Sequence, residues 1–162
     1  MNIQFAAAWL RALSSSADDV LTFYADDFDF SDPPQDRFIR HDKLALRRAI
    51  RPLSNKDPSN GLGVHRLEAL EYLGDQNAGL VVWRWQVQHA DTVYGLHAAG
   101  KALETTGMSY HVYHYGKILR EIVYSDQIHI AKALGFPVRL GDEKARPRDI
   151  SSNTRTPGNL RH

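Results

Sequence analysis

At 162 residues the chain has the length of one ordinary domain, enough to bury a core without covalent staples. It has no cysteine, which excludes disulfides and thiol chemistry and leaves a reduced cytosol as the default compartment. A formal charge of +1 is too balanced to suggest nucleic acid or an anionic membrane as partner, and no apolar run approaches the ~18 residues that a membrane span needs.

The opening stretch, MNIQFAAAWLRAL, has no basic leader region, and Arg11 interrupts its apolar run, so it reads as a helix and not as a signal peptide. Asn2 can cap that helix, and Phe5, Trp9, Ala12 and Leu13 fall on one face. Ser16 and Asp19 have capping-box spacing for a second helix carrying Val20, Leu21, Phe23 and Tyr24. Asp26 to Ser31 alternates acidic with aromatic residues and reads as a short strand that Pro33-Pro34 must end. Asp42 can cap a third helix with Leu46, Ala49, Ile50 and Leu53 as its stripe, and NKDPSNGLG (55–63) is turn chemistry.

The second half reads as strands: Val64–Leu73, Leu80–His89, Ala102–Tyr115 and, after a Gly116-Lys117 turn, Ile118–Tyr124. Asp126 then precedes a short helix ending at Leu134-Gly135. Helices first and antiparallel strands after give an α+β pattern, with one domain over residues 1–138. Residues 139–162 hold six Lys/Arg and three acids, net +3, which leaves about −2 for the remainder; their composition reads as a flexible basic tail.

Three passages resemble a known superfamily. They are Tyr24-Ala-Asp-Asp-Phe-Asp-Phe-Ser-Asp-Pro33; Ala98-Ala99-Gly100-Lys101 with Glu104 and Gly107; and Gly116-Lys117-Ile118 with Glu121, Asp126 and Leu134-Gly135. The chain is similar over residues 3–136 to the nuclear-transport-factor-2-like superfamily, in its branch of SnoaL-like polyketide cyclases and ketosteroid isomerases. The resemblance implies a cone in which a strongly bent antiparallel sheet wraps around three N-terminal helices, with a pocket at the wide end. It also implies that Asp32, before Pro33, matches the catalytic base of the isomerases, and that Asp126 matches the acid/base of the cyclases. There are departures. Ala99 stands where Thr is usual, the isomerase phenol falls near Ala8 or Trp9, and its second Asp falls near Tyr110 or His111. Trp83-Arg84-Trp85-Gln86-Val87 lacks the Arg-x-Asp pair of the fold's epoxide hydrolases, which argues against epoxide opening.

Taken by themselves, the residues allow each acid two roles. Asp126 is either a helix cap or a base lifted toward neutrality by Val123, Tyr124, Ile128 and Ile130, and Asp32 is either a solvated turn residue or a group at a pocket mouth. The strand face with Met108, Tyr110, Val112 and His114 is the more mixed and suits a pocket wall, with Tyr110 and His114 donating to an enolate oxygen; Ser109, His111, Tyr113 and Tyr115 would then face solvent or a second subunit. Trp83 and Trp85, in phase with His89, suit core or an aromatic wall, while Arg84 and Gln86 face outward. Lys101, Lys117 and Glu121 read as turn and surface charges.

The expectation is an enzyme without cofactor or metal that moves a proton next to a carbonyl of a mostly apolar small molecule, by cyclisation or isomerisation. Asp126, Asp32 and His114 would be catalytic, with Tyr110, Trp83, Trp85, His97 and Tyr24 binding substrate. The alternatives are a dehydratase using Asp32 with His97 or His114, and a non-catalytic binding module. In each case a homodimer through the sheet is expected.

Overall fold

The structure is a computed structural model that describes residues 1–137; the tail assigned to 139–162 lies outside them. Helix α1 spans Ile3–Leu13 and α2 spans Ala17–Leu21. Their caps are the ones the sequence offers: the Asn2 side chain accepts from the Phe5 N–H, and Ser16 from the Asp19 N–H. Strand β1 (Tyr24–Asp32) follows, then a short 3-10 turn, Pro33–Gln35, which Asp36 closes at φ 49°, and strand β2 (Arg37–Arg40). Helix α3 (Lys43–Ile50) is capped by Asp42; it tightens into a 3-10 turn over Arg51–Ser54, because Pro52 has no N–H with which to continue an α-helix.

The long strands β3 (Leu62–Gly74) and β4 (Ala78–Ala90) form a hairpin. A small ribbon, β5 (Thr92–Val93) with β6 (Leu96–His97), interrupts the run before β7 (Leu103–His114) and β8 (Lys117–Ser125). Helix α4 spans Gln127–Ala133. The six long strands lie in the order β2-β1-β8-β7-β4-β3 in one curled sheet that does not close into a barrel. All its ladders are antiparallel except β1–β8, which is parallel. Helices α1, α2 and α3 fill the concave side, where Leu10, Val20 and Leu46 join Phe28, Val81 and Ile118 in a buried core. The α+β cone expected from the sequence is the architecture found.

Local differences follow from backbone geometry. The β7–β8 turn is Tyr115-Gly116, with φ of 46° and 76°, and not Gly116-Lys117. Two left-handed residues give the turn whose twist matches a hairpin, and Lys117 already belongs to β8. A bulge at Leu119 pairs Tyr113 with Ile118 and Val112 with Arg120, so Ile118 and Glu121, three apart, both point inward. His89 leaves the phase of Trp83 and Trp85 because its φ is 61°; it is exposed.

The phase of β7 is the reverse of the expected one. Thr105, Ser109, His111 and Tyr113 are buried, whereas Met108, Tyr110 and His114 are exposed on the convex face. Because side chains alternate with period two, assigning one residue to the wrong face moves them all.

Candidate active site

The inner face of the sheet can be read as cross-strand rows. Phe30 of β1 lies beside Glu121 of β8, which pairs with His111 of β7. One row further on, Asp32 follows the same parallel register toward Val123, which pairs with Ser109, and Ser109 with Val81. Beyond that, Ser125 pairs with Gly107 and Gly107 with Trp83. Gly107 is needed here: a Cβ at this position would lie 2.1 Å from the Trp83 ring and 2.5 Å from the Tyr124 carbonyl oxygen. Its absence lets the indole lie flat across β7, with the Trp83 Nε1–H donating to Ser109 Oγ at 3.1 Å.

These rows and the helices enclose a cavity of about 480 Å³. Its walls are mainly apolar and aromatic, including Trp9, Phe30, Trp83, Trp85, Leu13 and Ile50. Its polar groups are few: Asp32, Gln35 and Arg37 from the β1–β2 hairpin, Ser109, Ser125, His65, and Tyr24 with Glu121. A mostly apolar pocket with a few convergent polar groups is the usual form of a small-molecule site.

Asp32 owes its place to the proline turn that follows it. β1 carries it to the cavity, and Pro33–Gln35 turns the chain back so that Arg37 pairs with it across the β1–β2 ladder. Burial pushes the Asp32 carboxyl above its ordinary range; the Arg37 charge and the Gln35 backbone N–H oppose this, and the Glu121 charge adds to it.

Behind this carboxyl lies a buried network. Glu121 is 1% exposed and accepts a hydrogen bond from the Tyr24 hydroxyl, and its Oε1 is 3.6 Å from His111 Nε2. His111 Nδ1 is 3.1 Å from the Tyr113 hydroxyl, and its ring meets Trp9 edge-on at 4.7 Å. The Trp9 indole N–H comes close to Tyr24 but makes no hydrogen bond of normal geometry. Burial first, then the charge and hydrogen bond of Glu121, push the Tyr24 phenol well above its usual range, so Tyr24 remains a neutral donor.

His65 forms the other end of the cavity. Its Nδ1 accepts from the Trp85 indole N–H at 3.0 Å while its Nε2 lies 3.0 Å from the Leu62 carbonyl, which sets the Nε2–H tautomer. The ring stacks on Trp85, and Tyr94, whose hydroxyl donates to Ser125 Oγ at 3.2 Å, lies tilted against Trp85 at 5.7 Å. Burial lowers the His65 pKa. A His with a depressed pKa contributes stability that is present above ~6.5 and lost as pH falls through its folded value. Thermal unfolding followed against pH should therefore show an acid-side slope below ~6.5 that flattens in His65→Gln, whose amide can keep both hydrogen bonds without titrating. An unchanged slope would remove His65 from that role.

The site residues expected from sequence divide into two groups. Asp32, Tyr24, Trp83 and Trp85 line the cavity. Asp126, His114, Tyr110 and His97 do not. Asp126 is exposed and caps α4, its Oδ1 accepting from the His129 N–H at 2.9 Å. His114 and Tyr110 lie on the convex face, and His97 sits exposed on the β5–β6 ribbon, so neither histidine forms the expected dyad with Asp32. Glu121 was read as a surface charge and is instead the most buried acid of the described residues. The only sequence signal was the phase that Glu121 shares with Val123 and Ser125, which does not say that this face is the inner one. Among the described residues no group of three or more His, Asp or Glu could hold a metal ion, and no helix is long and apolar enough to cross a membrane.

No family model and no curated protein matches the chain in sequence. Solved structures do match its shape. A SnoaL-like polyketide cyclase from Agrobacterium tumefaciens aligns with a TM-score of 0.65 at 17% identity, over 83% of this chain and 99% of that one. A protein of ketosteroid isomerase-like fold from Catenulispora acidiphila, in complex with trimethylamine, aligns with a TM-score of 0.65 at 8% identity, over 85% and 96%. The chain has the SnoaL-like fold. Within that fold the cavity lies between the concave sheet and the helices, and Asp32 reaches it from the first strand. At such identities the likeness speaks for the scaffold, and scaffolds of this kind host many chemistries, so activity has to be argued from the site.

Proposed function

We propose that the cavity is the active site of an enzyme that needs no cofactor and moves a proton next to a carbonyl of a mostly apolar, ring-bearing small molecule, with cyclisation or isomerisation as the outcome. The observation that carries this reading is the Asp32 carboxyl, set by a rigid turn into an apolar cavity that raises its pKa toward the range where a carboxylate works as a base. Ser109 supplies the second group. Its oxygen accepts from Trp83, which leaves its own hydroxyl proton for a ligand oxygen. Asp32 and Ser109 stand in one cross-strand row on β1 and β7, with β8 between, about 10 Å apart at two strand spacings. A ring-sized ketone can thus present its carbonyl to Ser109 and an acidic C–H to Asp32.

The test uses 1-tetralone as probe, following exchange of its C2 protons in deuterated buffer by NMR. The wild type should accelerate exchange, and Asp32→Asn should lose that acceleration. Exchange at the buffer rate with the wild type, or an equal rate with Asp32→Asn, would favour a ligand-binding module that lacks the chemistry.

The convex face is assigned to a second copy of the chain. Leu80, Tyr110 and Ile122 form one cross-strand row on it, and Val82, Met108 and Tyr124 the next. Tyr113, expected on this face, is buried inside instead. Arg84 lies between Glu68 and Glu104, at 3.8 and 3.6 Å, so it offsets part of the acidic charge at the polar border and eases its repulsion of a second copy. Light scattering should give about twice 18.3 kDa, falling to one chain in the double variant Met108→Glu/Tyr110→Glu. A wild type at 18.3 kDa would overturn the assignment.

A further inference from the structure

We propose that Arg37 forms an anion site at the cavity mouth and that the molecule bound there is a ring-bearing carboxylate, its acid group on the guanidinium and its ring against the tryptophans. This deepens the reading of the cavity as a small-molecule site and rests on it.

The position of Arg37 is the first support. It is in direct register with Asp32 across the antiparallel β1–β2 ladder, and directly opposed residues present their side chains on the same face. Both line the cavity. The turn that sets this register is short and stiff, two prolines followed by Gln35 and the left-handed Asp36. The cation is therefore held at the edge of the cavity by the element that positions the carboxyl.

The want of a partner on a partly buried cation is the second support. Ion pairs among the described residues engage Arg40, Arg47, Arg84 and Arg120, while Arg11, Arg48, Arg51 and Arg66, which form none, are exposed. Arg37 takes part in none of them and donates no side-chain hydrogen bond to a described residue, although it is only partly exposed. A cation withdrawn from water calls for a partner. Asp32 attracts it without serving as that partner. No ion pair joins the two among the described residues, and Arg37 acts on the carboxyl only as a nearby charge that opposes the effect of burial. The fork of N–H groups on Arg37 is thus free for an anion, and guanidinium grips a carboxylate through two parallel hydrogen bonds.

The walls select the remainder of the ligand. The cavity is lined by Tyr94, Trp85 and Trp83 within about 480 Å³, room for two or three fused rings. The β5–β6 ribbon adds Thr92 and Gly95 to the lining and brings no charge with them. An acid-bearing ring system satisfies both ends, whereas a neutral one leaves Arg37 unpaired.

The experiment is calorimetric titration of the full chain with 2-naphthoate and with its neutral isostere 2-naphthamide, at pH 7.5 and low salt. The acid should bind the wild type at least tenfold more tightly than the amide. Added salt and Arg37→Gln should each reduce that preference by weakening acid binding more than amide binding, and Arg37→Lys should keep part of it. Amide binding as tight as acid binding, or a preference that survives Arg37→Gln, would overturn the anion site and leave the cavity reading intact. Failure of both compounds to bind would overturn the cavity reading and the anion site with it. The comparison of acid with amide on the wild type decides the matter even if the variants do not fold.

Discussion

Asp32→Asn should lose the proton-transfer activity by 10²–10⁴-fold, the usual worth of a positioned general base, and at the same time become at least as stable as the wild type at neutral pH. Both outcomes come from one cause. Burial raises the pKa of Asp32, which means that its ionised form is disfavoured in the folded state. An acid whose pKa is raised on folding contributes stability that is present below the unfolded value, ~3.9, and lost as pH rises through the folded value. At neutral pH the wild type carries that penalty, and the asparagine does not. Melting temperatures of the two proteins should therefore separate above pH 4 to 5, the variant higher, and converge in more acid solution. The activity of the wild type should fall on the acid side with an apparent pKa above ~3.9, because only the carboxylate can accept a proton. A variant that loses activity and stability together would make Asp32 a structural residue.

Glu121→Ala should be among the most destabilising substitutions in the chain, at about 2–5 kcal/mol, because it leaves two buried polar groups without their partner. The carboxyl is 1% exposed and serves two groups, the Tyr24 hydroxyl and the His111 ring. His111 Nε2 already has no hydrogen bond among the described residues, so loss of Glu121 strands it completely. Glu121→Gln keeps the shape and an acceptor for Tyr24 and should cost less. Tyr24→Phe removes the other end of the bond. Chemical denaturation of Glu121→Gln, Tyr24→Phe and the double variant should yield a coupling of about 0.5–3 kcal/mol, as expected for residues in contact. Additive effects would show that the two side chains are neighbours without an energetic bond. Because Glu121 and Tyr24 also line the cavity, ligand binding should weaken even in the milder variants.

The helices were legible because their signals are local. Asn2, Ser16, Asp42 and Asp126 each cap a helix through their own side chain. The long strands were legible from length and composition. What escaped was the phase of β7. Alternation says that Tyr110 and His111 face opposite sides; it does not say which side is inside. Hydrophobicity usually decides, and here it cannot, because the inner face carries Thr105, Ser109 and His111, whose partners lie on other elements. The place of Asp32 at a strand end was legible because Asp-Pro is a local pattern, while its turn toward the cavity was one of two roles that the residues left open. Glu121 was not, because its burial depends on a bulge at Leu119 and on a phenol 97 positions away. Strand β2 and the β5–β6 ribbon are four and two residues long, too short for a periodic signal.

The single parallel ladder has a bearing on how the protein reaches its native state. The β1–β8 pairing joins the start of the chain to its end, with Phe30 beside Glu121, whereas the β3–β4 and β7–β8 hairpins join near neighbours. Contacts of large sequence separation demand that a long loop be closed before they reward it, and they tend to form late and slowly. Asp32 and Glu121 stand on either side of that seam. The four-stranded half, Glu121 included, can thus pair early from local contacts, while the cavity acquires Asp32 only when the two ends of the domain meet. A nascent chain that has not yet released β8 holds the base without the wall behind it.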